Sequence, residues 1–519
     1  MMICESSGTQ TTRQRPGVLQ SSGAFRGPDD VRKRRRPGAL QNAIALATRL
    51  IILQFSVFSS QFSILSAAEK PKTLLLGEVL ASVQSQYPPY LAALIEQDIA
   101  NGRVRQAQGA FDVNLNAGGT MNLAGYYDGR TGYAMIEQPL PFWGGSVYGG
   151  YRLSSGFLPN YNKERTGVDG EGVLGFRIPL LRDGTIDRRR ASLWQAQIDQ
   201  ELADPIILRQ YLDFIRAGTI SYYTWVASGQ RLALAEELFR IAKDRDSAIA
   251  EQVKKGASAP IVQIDNQRLV VSREIATVQA LRRFQAAAIE LSLFFRTREK
   301  AEPIIAARNR VPKAFPPHPR LDESQLIADI AKAAVFRPEI RRIELLTQKV
   351  EIDRKLAKNN MLPNLDVGVE AGQFFGGNRP RDIEQNEIEA KMEFKLPLQR
   401  REAQGRVDIA DATIERLNND KRFARDRITA DVRDAYSALI AAYDALKMTR
   451  LNVELARQLE TAENERLKQG ATDLLALQIR EQATFDAQVL EVEAQADYFR
   501  AQANYRASIA ADAPSKLTR

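Results

Sequence analysis

The chain has 519 residues, with 72 Lys/Arg against 63 Asp/Glu, a single cysteine and a single histidine. Nine of the basic and three of the acidic residues fall within 1–68, so the remainder carries only net +3, and the formal charge of +9 is no argument for a nucleic-acid partner. Cys4 lies in the leading segment and His318 in a Pro-rich stretch, so disulfides, thiolate or His-based metal sites and a Ser-His-Asp triad are not expected, and neither is a cofactor.

Residues 1–68 read as a basic leader and signal peptide. The run Arg32-Lys33-Arg34-Arg35-Arg36 precedes an apolar stretch from Leu50 to Leu65, and Ser66-Ala67-Ala68 offers small residues for cleavage before Glu69. A transmembrane anchor is the other reading of the apolar stretch, which is short and rich in Ser for that purpose.

From Leu75 to Ala110 the pattern is helical and breaks at Tyr87-Pro88-Pro89, because a residue before proline is pushed out of the α region. The same design returns from Ser324 to Asn360, broken at Arg337-Pro338. Each broken helix leads into alternation of period two. Val113, Leu115, Ala117, Gly119, Met121 and Leu123 interleave with Asn114, Asn116, Gly118, Thr120 and Asn122. In the second copy Leu365, Val367, Val369 and Ala371 alternate with polar residues or Gly, and Ile388, Ala390, Met392, Phe394 and Leu396 alternate with Glu and Lys.

The first copy has room for an additional hairpin, Gly132–Leu140 and Val147–Phe157, before a last down strand from Val168 to Ile178. That gives four strands in copy one and two in copy two. A soluble antiparallel sheet with one wet face would alternate in the same way. Aromatic and Gly clusters at the strand ends, Tyr126-Tyr127-Asp128-Gly129, Phe142-Trp143-Gly144-Gly145 and Phe374-Phe375-Gly376-Gly377, point instead to a barrel embedded in outer-membrane lipid.

After each set of strands comes a very long helical pattern, about 185–255 and 402–469, which at ~1.5 Å per residue is on the order of 100 Å. Ile428, Val432, Ala435, Leu439, Ala442, Leu446, Thr449, Val453 and Ala456 form a heptad seam, and Pro205 is expected to kink the first helix. Both helices end alike: Lys254-Lys255-Gly256-Ala257-Ser258 and, 214 residues later, Lys468-Gln469-Gly470-Ala471-Thr472. A return helix leaves each tip, with Pro260 in one first turn and Thr472 as N-cap of the other, followed by Asp473. Residues 296–320, with five prolines, read as a linker.

The expected organisation is therefore α+β in two structural repeats. Repeat 1 spans 69–295, with strands in 112–180 and a helical hairpin over 185–294. Repeat 2 spans 321–511, with strands in 363–398 and a hairpin over 402–511, and 512–519 is a tail. Four to six strands are too few to close a membrane barrel alone, so such a chain must oligomerise.

At this point the sequence resembles the outer membrane efflux proteins, the TolC family, over about 70–511. The resemblance is carried by Tyr87-Pro88-Pro89, Arg337-Pro338, Leu362-Pro363, Ile178-Pro179-Leu180-Leu181-Arg182, Leu396-Pro397-Leu398 and the two Gly-Ala-Ser/Thr tips, in this order and duplicated. It implies a homotrimer whose chains share one β-barrel and one periplasmic α-helical tunnel. It further implies passive export without catalysis, in a tripartite efflux or type I secretion system, with a periplasmic adaptor and an inner-membrane pump as partners. The adaptor would dock on Lys254, Lys255, Gly256, Ala257 and Ser258 and on Lys468, Gln469, Gly470, Ala471 and Thr472. Two departures stand out: the additional hairpin, and the acidic pair that some members place after the second tip, which falls here on Ala476 and Ile479. Asp265 and Asp473 are the acids left near the mouth as lumen or gate residues. The reading from another class is a periplasmic coiled-coil scaffold without channel activity.

Overall fold

The computed structural model describes residues 73–159, 165–320, 322–377 and 386–514. The signal peptide expected over 1–68, with Cys4, and residues 515–519 of the tail lie outside the described residues.

Two broken helices open the two halves. In the first, α1 (Leu76–Gln86) and α2 (Pro88–Gln108) are separated by Tyr87 alone, extended at φ −76° and ψ 112°. Proline at the first helical position lacks only a hydrogen bond that no residue there could make, so α2 restarts at once. The Tyr87 ring holds the break by stacking on Phe294 and meeting Phe214 edge-on, each at 5.2 Å between centroids. The second break, at Arg337 (φ −70°, ψ 132°), separates α5 (Glu323–Phe336) from α6 (Pro338–Asn359) and is held by charge: Arg337 donates to Asp431 at 2.9 Å and to Glu339 at 2.7 Å.

Six strands follow the breaks: β1 Asn114–Met121, β2 Arg130–Pro139, β3 Ser146–Ser155, β4 Glu171–Pro179, β5 Asn364–Phe374 and β6 Asn386–Lys395. They form one antiparallel sheet in the order β1-β2-β3-β4-β5-β6, so the expected additional hairpin, β2–β3, sits inside the sheet between β1 and β4. The last down strand starts at Glu171 and not at Val168, because Gly167 and Gly170 close a turn there, with Gly170 at φ +96°.

The four long helices are α3 (Arg188–Lys254, 67 residues), α4 (Pro260–Ser292), α7 (Arg401–Lys468, 68 residues) and α8 (Leu474–Ser508). They lie side by side in the order α4, α3, α8, α7, while α1, α2, α5 and α6 pack on the upper parts of α3 and α7. α3 is continuous through the buried Pro205. The predicted heptad seam faces inward: Ile428, Val432, Ala435, Leu439, Leu446 and Val453 are all buried, the first five in one core with Trp225, Leu232, Tyr498 and Phe499. Among the described residues no helix is long and apolar enough to cross a membrane.

The stretch between the halves is more than a tether. Gln230 donates to the Pro312 carbonyl at 3.2 Å, Phe315 lies beside both rings of the stacked Tyr223–Phe499 pair, and His318 lies against Tyr498 and Phe499, so it straps α3 to α8.

Candidate functional site

Two places combine chemistry with position: the hairpin tips and the inner face of the sheet. The tips are built alike. Gly256 and Gly470 adopt φ of +72° and +70°, the left-handed conformation that ends a helix at little cost only for a residue without a Cβ. Each donates its N–H to the carbonyl three residues back, Val253 or Leu467, at 3.0 Å. The following alanine reaches five back, Ala257 to Gln252 at 2.8 Å and Ala471 to Arg466 at 2.9 Å. These are the paired closing bonds of one C-cap, made twice.

Lys254, Lys255, Gly256 and Ala257 are exposed with Ser258 half-buried, and Lys468, Gln469, Gly470 and Ala471 are exposed with Thr472 half-buried. Lys468 pairs with Glu465 at 2.7 Å on its own helix. The cap of α8 corrects the expectation. Asp473, not Thr472, is the N-cap, its carboxylate accepting from the Ala476 N–H at 2.8 Å. Its ionised oxygen is the better acceptor at the positive end of a helix. Asp265 lies in the second turn of α4, half-exposed beside Arg268 at 3.5 Å. One pair escaped notice in the sequence: Ile261 and Leu475, which follow the tips at the same 214-residue offset and are exposed by 66% and 58%. The offset itself was the signal.

The sheet has two sharply different faces. Across the strands, Leu115 pairs with Ile136, Ala134 with Tyr151, Val147 with Phe176, Leu174 with Ala371, Val369 with Ala390 and Val367 with Met392, so one face is apolar from edge to edge. The opposite face carries Glu137, Glu171, Asp366, Glu370, Glu387, Glu389 and Glu393 against Arg152, Arg177, Lys391 and Lys395. On it Tyr148 reaches over Gly175, its cross-strand neighbour, to donate to Glu370 at 2.9 Å, and Arg152 donates to the other Glu370 oxygen at 2.9 Å. A Cβ at Gly175 would lie 2.6 Å from the Tyr148 ring, and one at Gly118 2.8 Å from the Tyr133 hydroxyl, so both tyrosines lie flat on the wall only because glycine faces them.

The turn between β2 and β3 is anchored at the sheet's other end. Leu140 donates to Gly145 at 2.9 Å, and the Gly144 carbonyl accepts from Arg189 at 3.3 Å. Arg190, buried beside Asp187 at 3.3 Å, donates to the Asp183 carbonyl at 2.6 Å, fixing the start of α3.

Comparison with known proteins places these features. The family model described as outer membrane efflux protein matches residues 330–511. No curated protein matches the chain by sequence. Among solved structures, the open state of the Neisseria gonorrhoeae MtrE outer membrane channel is similar at TM-score 0.61 and 14% identity, covering 84% of this chain and 88% of that one. A membrane protein from Pseudomonas aeruginosa gives 0.60 at 14% identity, covering 84% and 92%. The outer membrane protein VceC from Vibrio cholerae gives 0.59 at 14%, covering 84% and 95%. The chain thus shares its second repeat with the outer membrane efflux protein family model and its fold, strands and long hairpins together, with those channels.

Proposed function

We propose that the chain is the outer-membrane duct of a tripartite export system. Three copies form a passive passage for small molecules or secreted polypeptides, delivered by an inner-membrane pump through a periplasmic adaptor. The observation that carries the reading is the sheet, apolar on one face and charged on the other, continued by helices of 67 and 68 residues. An apolar outer face suits lipid and a charged inner face suits a watery lumen. Unpaired strand edges in hydrocarbon cost several kcal/mol per group, which favours closure between copies. The energy comes from the pump, and the duct opens as the tip hairpins move apart.

The adaptor docks on the tips. Gly256 and Gly470 with Lys254, Lys255, Ala257, Ser258, Lys468, Gln469, Ala471 and Thr472 form the contact, and Ile261 and Leu475 add an apolar knob to each. Asp265 and Asp473, on the return helix side of the two tips, are the acids on which charge selection at the mouth rests.

Planar-bilayer conductance of the purified trimer, together with export by cells that contain adaptor and pump, tests the reading. A protein extracted without detergent, with no conductance, would instead be the periplasmic scaffold. Replacing Gly256 and Gly470 together by a bulky residue forces a Cβ into the left-handed region, at about 1–2 kcal/mol each. We expect export to be lost while trimers persist, and normal export by this variant would sink the docking assignment.

A further inference from the structure

We propose that this chain closes an 18-stranded barrel, edge β1 of one copy pairing with edge β6 of the next, and that the barrel is as wide as the helical tube below it. The inference rests on the trimer proposed above, and adds which edges meet and how wide the outer pore is.

Three observations carry it. First, β2 and β3 are full members of the sheet. β2 pairs with β1 through eight residue pairs, from Asn114–Glu137 to Met121–Arg130, and β3 pairs with β4 through seven, so β1 and β4 are not neighbours. Second, among the described residues no strand pairs with the outer edge of β1 or of β6, and both strands are suited to membrane. β1 is exposed along all eight residues and β6 along nearly all ten. Both continue the apolar face, with Leu115, Ala117 and Met121 at one edge and Ile388, Met392 and Phe394 at the other. A second copy is the occupant that satisfies both edges at once, since a strand running up at one edge meets a strand running down at the other.

Third, the widths agree. Strands ~4.8 Å apart and tilted by ~40° each take ~6.3 Å of circumference, so 18 strands (three copies of six) give ~113 Å and a backbone diameter of ~36 Å. Twelve strands would give only ~24 Å by the same reasoning. Where the tube meets the sheet each chain supplies α2, α3, α6 and α7, which at ~9.5 Å apart make twelve in a trimer and a ring of ~114 Å. Eighteen strands therefore continue a twelve-helix tube without a step. The inner surface is low in relief as well, because Tyr133 and Tyr148 lie over Gly118 and Gly175 and do not project inward.

The experiment uses full-length protein. Its only cysteine is Cys4 in the leading segment, so introduced pairs report without background once the leader is removed. Asn116→Cys is combined in turn with Glu387→Cys, Glu389→Cys and Glu393→Cys, and the trimer is oxidised and run without reductant. At least one combination is expected to give covalent dimers and trimers. An internal bridge between Asn116→Cys and Val173→Cys, which needs β1 beside β4, would overturn the proposal. So would twelve strands in an image of the purified trimer, where eighteen are expected. A trimer with eighteen strands that supports no export would leave this inference standing and remove the functional reading instead.

Discussion

The least expected residue is Glu481. It is 6% exposed in α8 and accepts from Arg245 of α3, through Nη1 at 3.1 Å, and from Arg273 of α4, at 3.1 Å. Arg273 is 3% exposed, and burial pulls its pKa below the ordinary guanidinium value even though Glu481 opposes the shift. The triad joins both hairpins two to three turns above the tips. Removing one partner of a buried ion pair leaves charge unpaired and costs about 3–5 kcal/mol. Glu481→Gln is therefore expected to loosen the tips, seen as faster protease cleavage near 254–260 and 468–474; unchanged cleavage would show that the triad is not holding the hairpins. His318 is the second group, half-buried. Burial, and then the nearby Arg450, push its pKa down to about 4. The unfolded imidazole titrates near ~6.5, so the unfolded chain takes up its proton first as pH falls. The contribution of neutral His318 is complete above ~6.5, is lost between there and about 4, and is level below. His318→Phe should flatten the melting temperature of the trimer over that window, and equal slopes for both proteins would refute the linkage. Neither group's role was legible in the sequence. Arg245 and Glu481 are 236 residues apart, and no local pattern marks a histidine that a proline-rich strap folds against Tyr498.

At the scale of elements, what was legible was periodic. The seam from Ile428 to Val453 sits in the core because a heptad on a long helix can face only one partner, and the strand pattern fixed which residues share a face because a slip of one would invert every side chain. Ends were harder to read, since they depend on one or two hydrogen bonds. Thr472 has the right chemistry for a cap and stands next to Asp473, which has better chemistry, and only the backbone decides between them. Asp473→Ala is expected to cost about 1 kcal/mol, the usual worth of an N-cap, and Thr472→Ala only a few tenths. Denaturant midpoints of the two variants give the comparison, and a larger loss at Thr472 would return the cap to that residue. The β4 start shows the same limit: Val168 continues the alternation, but Gly170 at φ +96° turns the backbone before the strand can begin.

For the whole molecule, the decisive feature is what the single chain leaves bare. In the layer α4, α3, α8, α7 the outer helices carry apolar stripes that nothing among the described residues covers. On α7, Met448, Leu451, Leu455 and Leu459 are exposed by 55%, 53%, 49% and 52%, and on α4, Ile264, Val271, Ile275 and Val278 by 60%, 54%, 54% and 61%. Their steps of 3, 4 and 4 on α7 and of 7, 4 and 3 on α4 are those of a heptad seam, on a different side of α7 from the buried one. A half-exposed Leu gains on the order of 1 kcal/mol when covered, so stripes repeated at three junctions amount to a strong, distributed attraction between copies. A charge placed in such a seam has to be buried unpaired or keep the seam open. Leu451→Glu with Leu455→Glu is therefore expected to give a folded chain, of unchanged helix content, that runs as a monomer in detergent. Lys447→Glu, one position outside the stripe, should leave trimers intact, which separates the seam from a general effect of acidic charge on α7. Leu446 is the necessary contrast, at 1% exposed within the same turn. Its replacement by Glu should unfold the hairpin itself, because that seam closes the chain on itself while the stripe at Leu451 joins it to the next copy. Trimers of the double variant that match the parent in stability would mean that α7 is not at the junction, and the barrel edges would then have to hold the assembly alone.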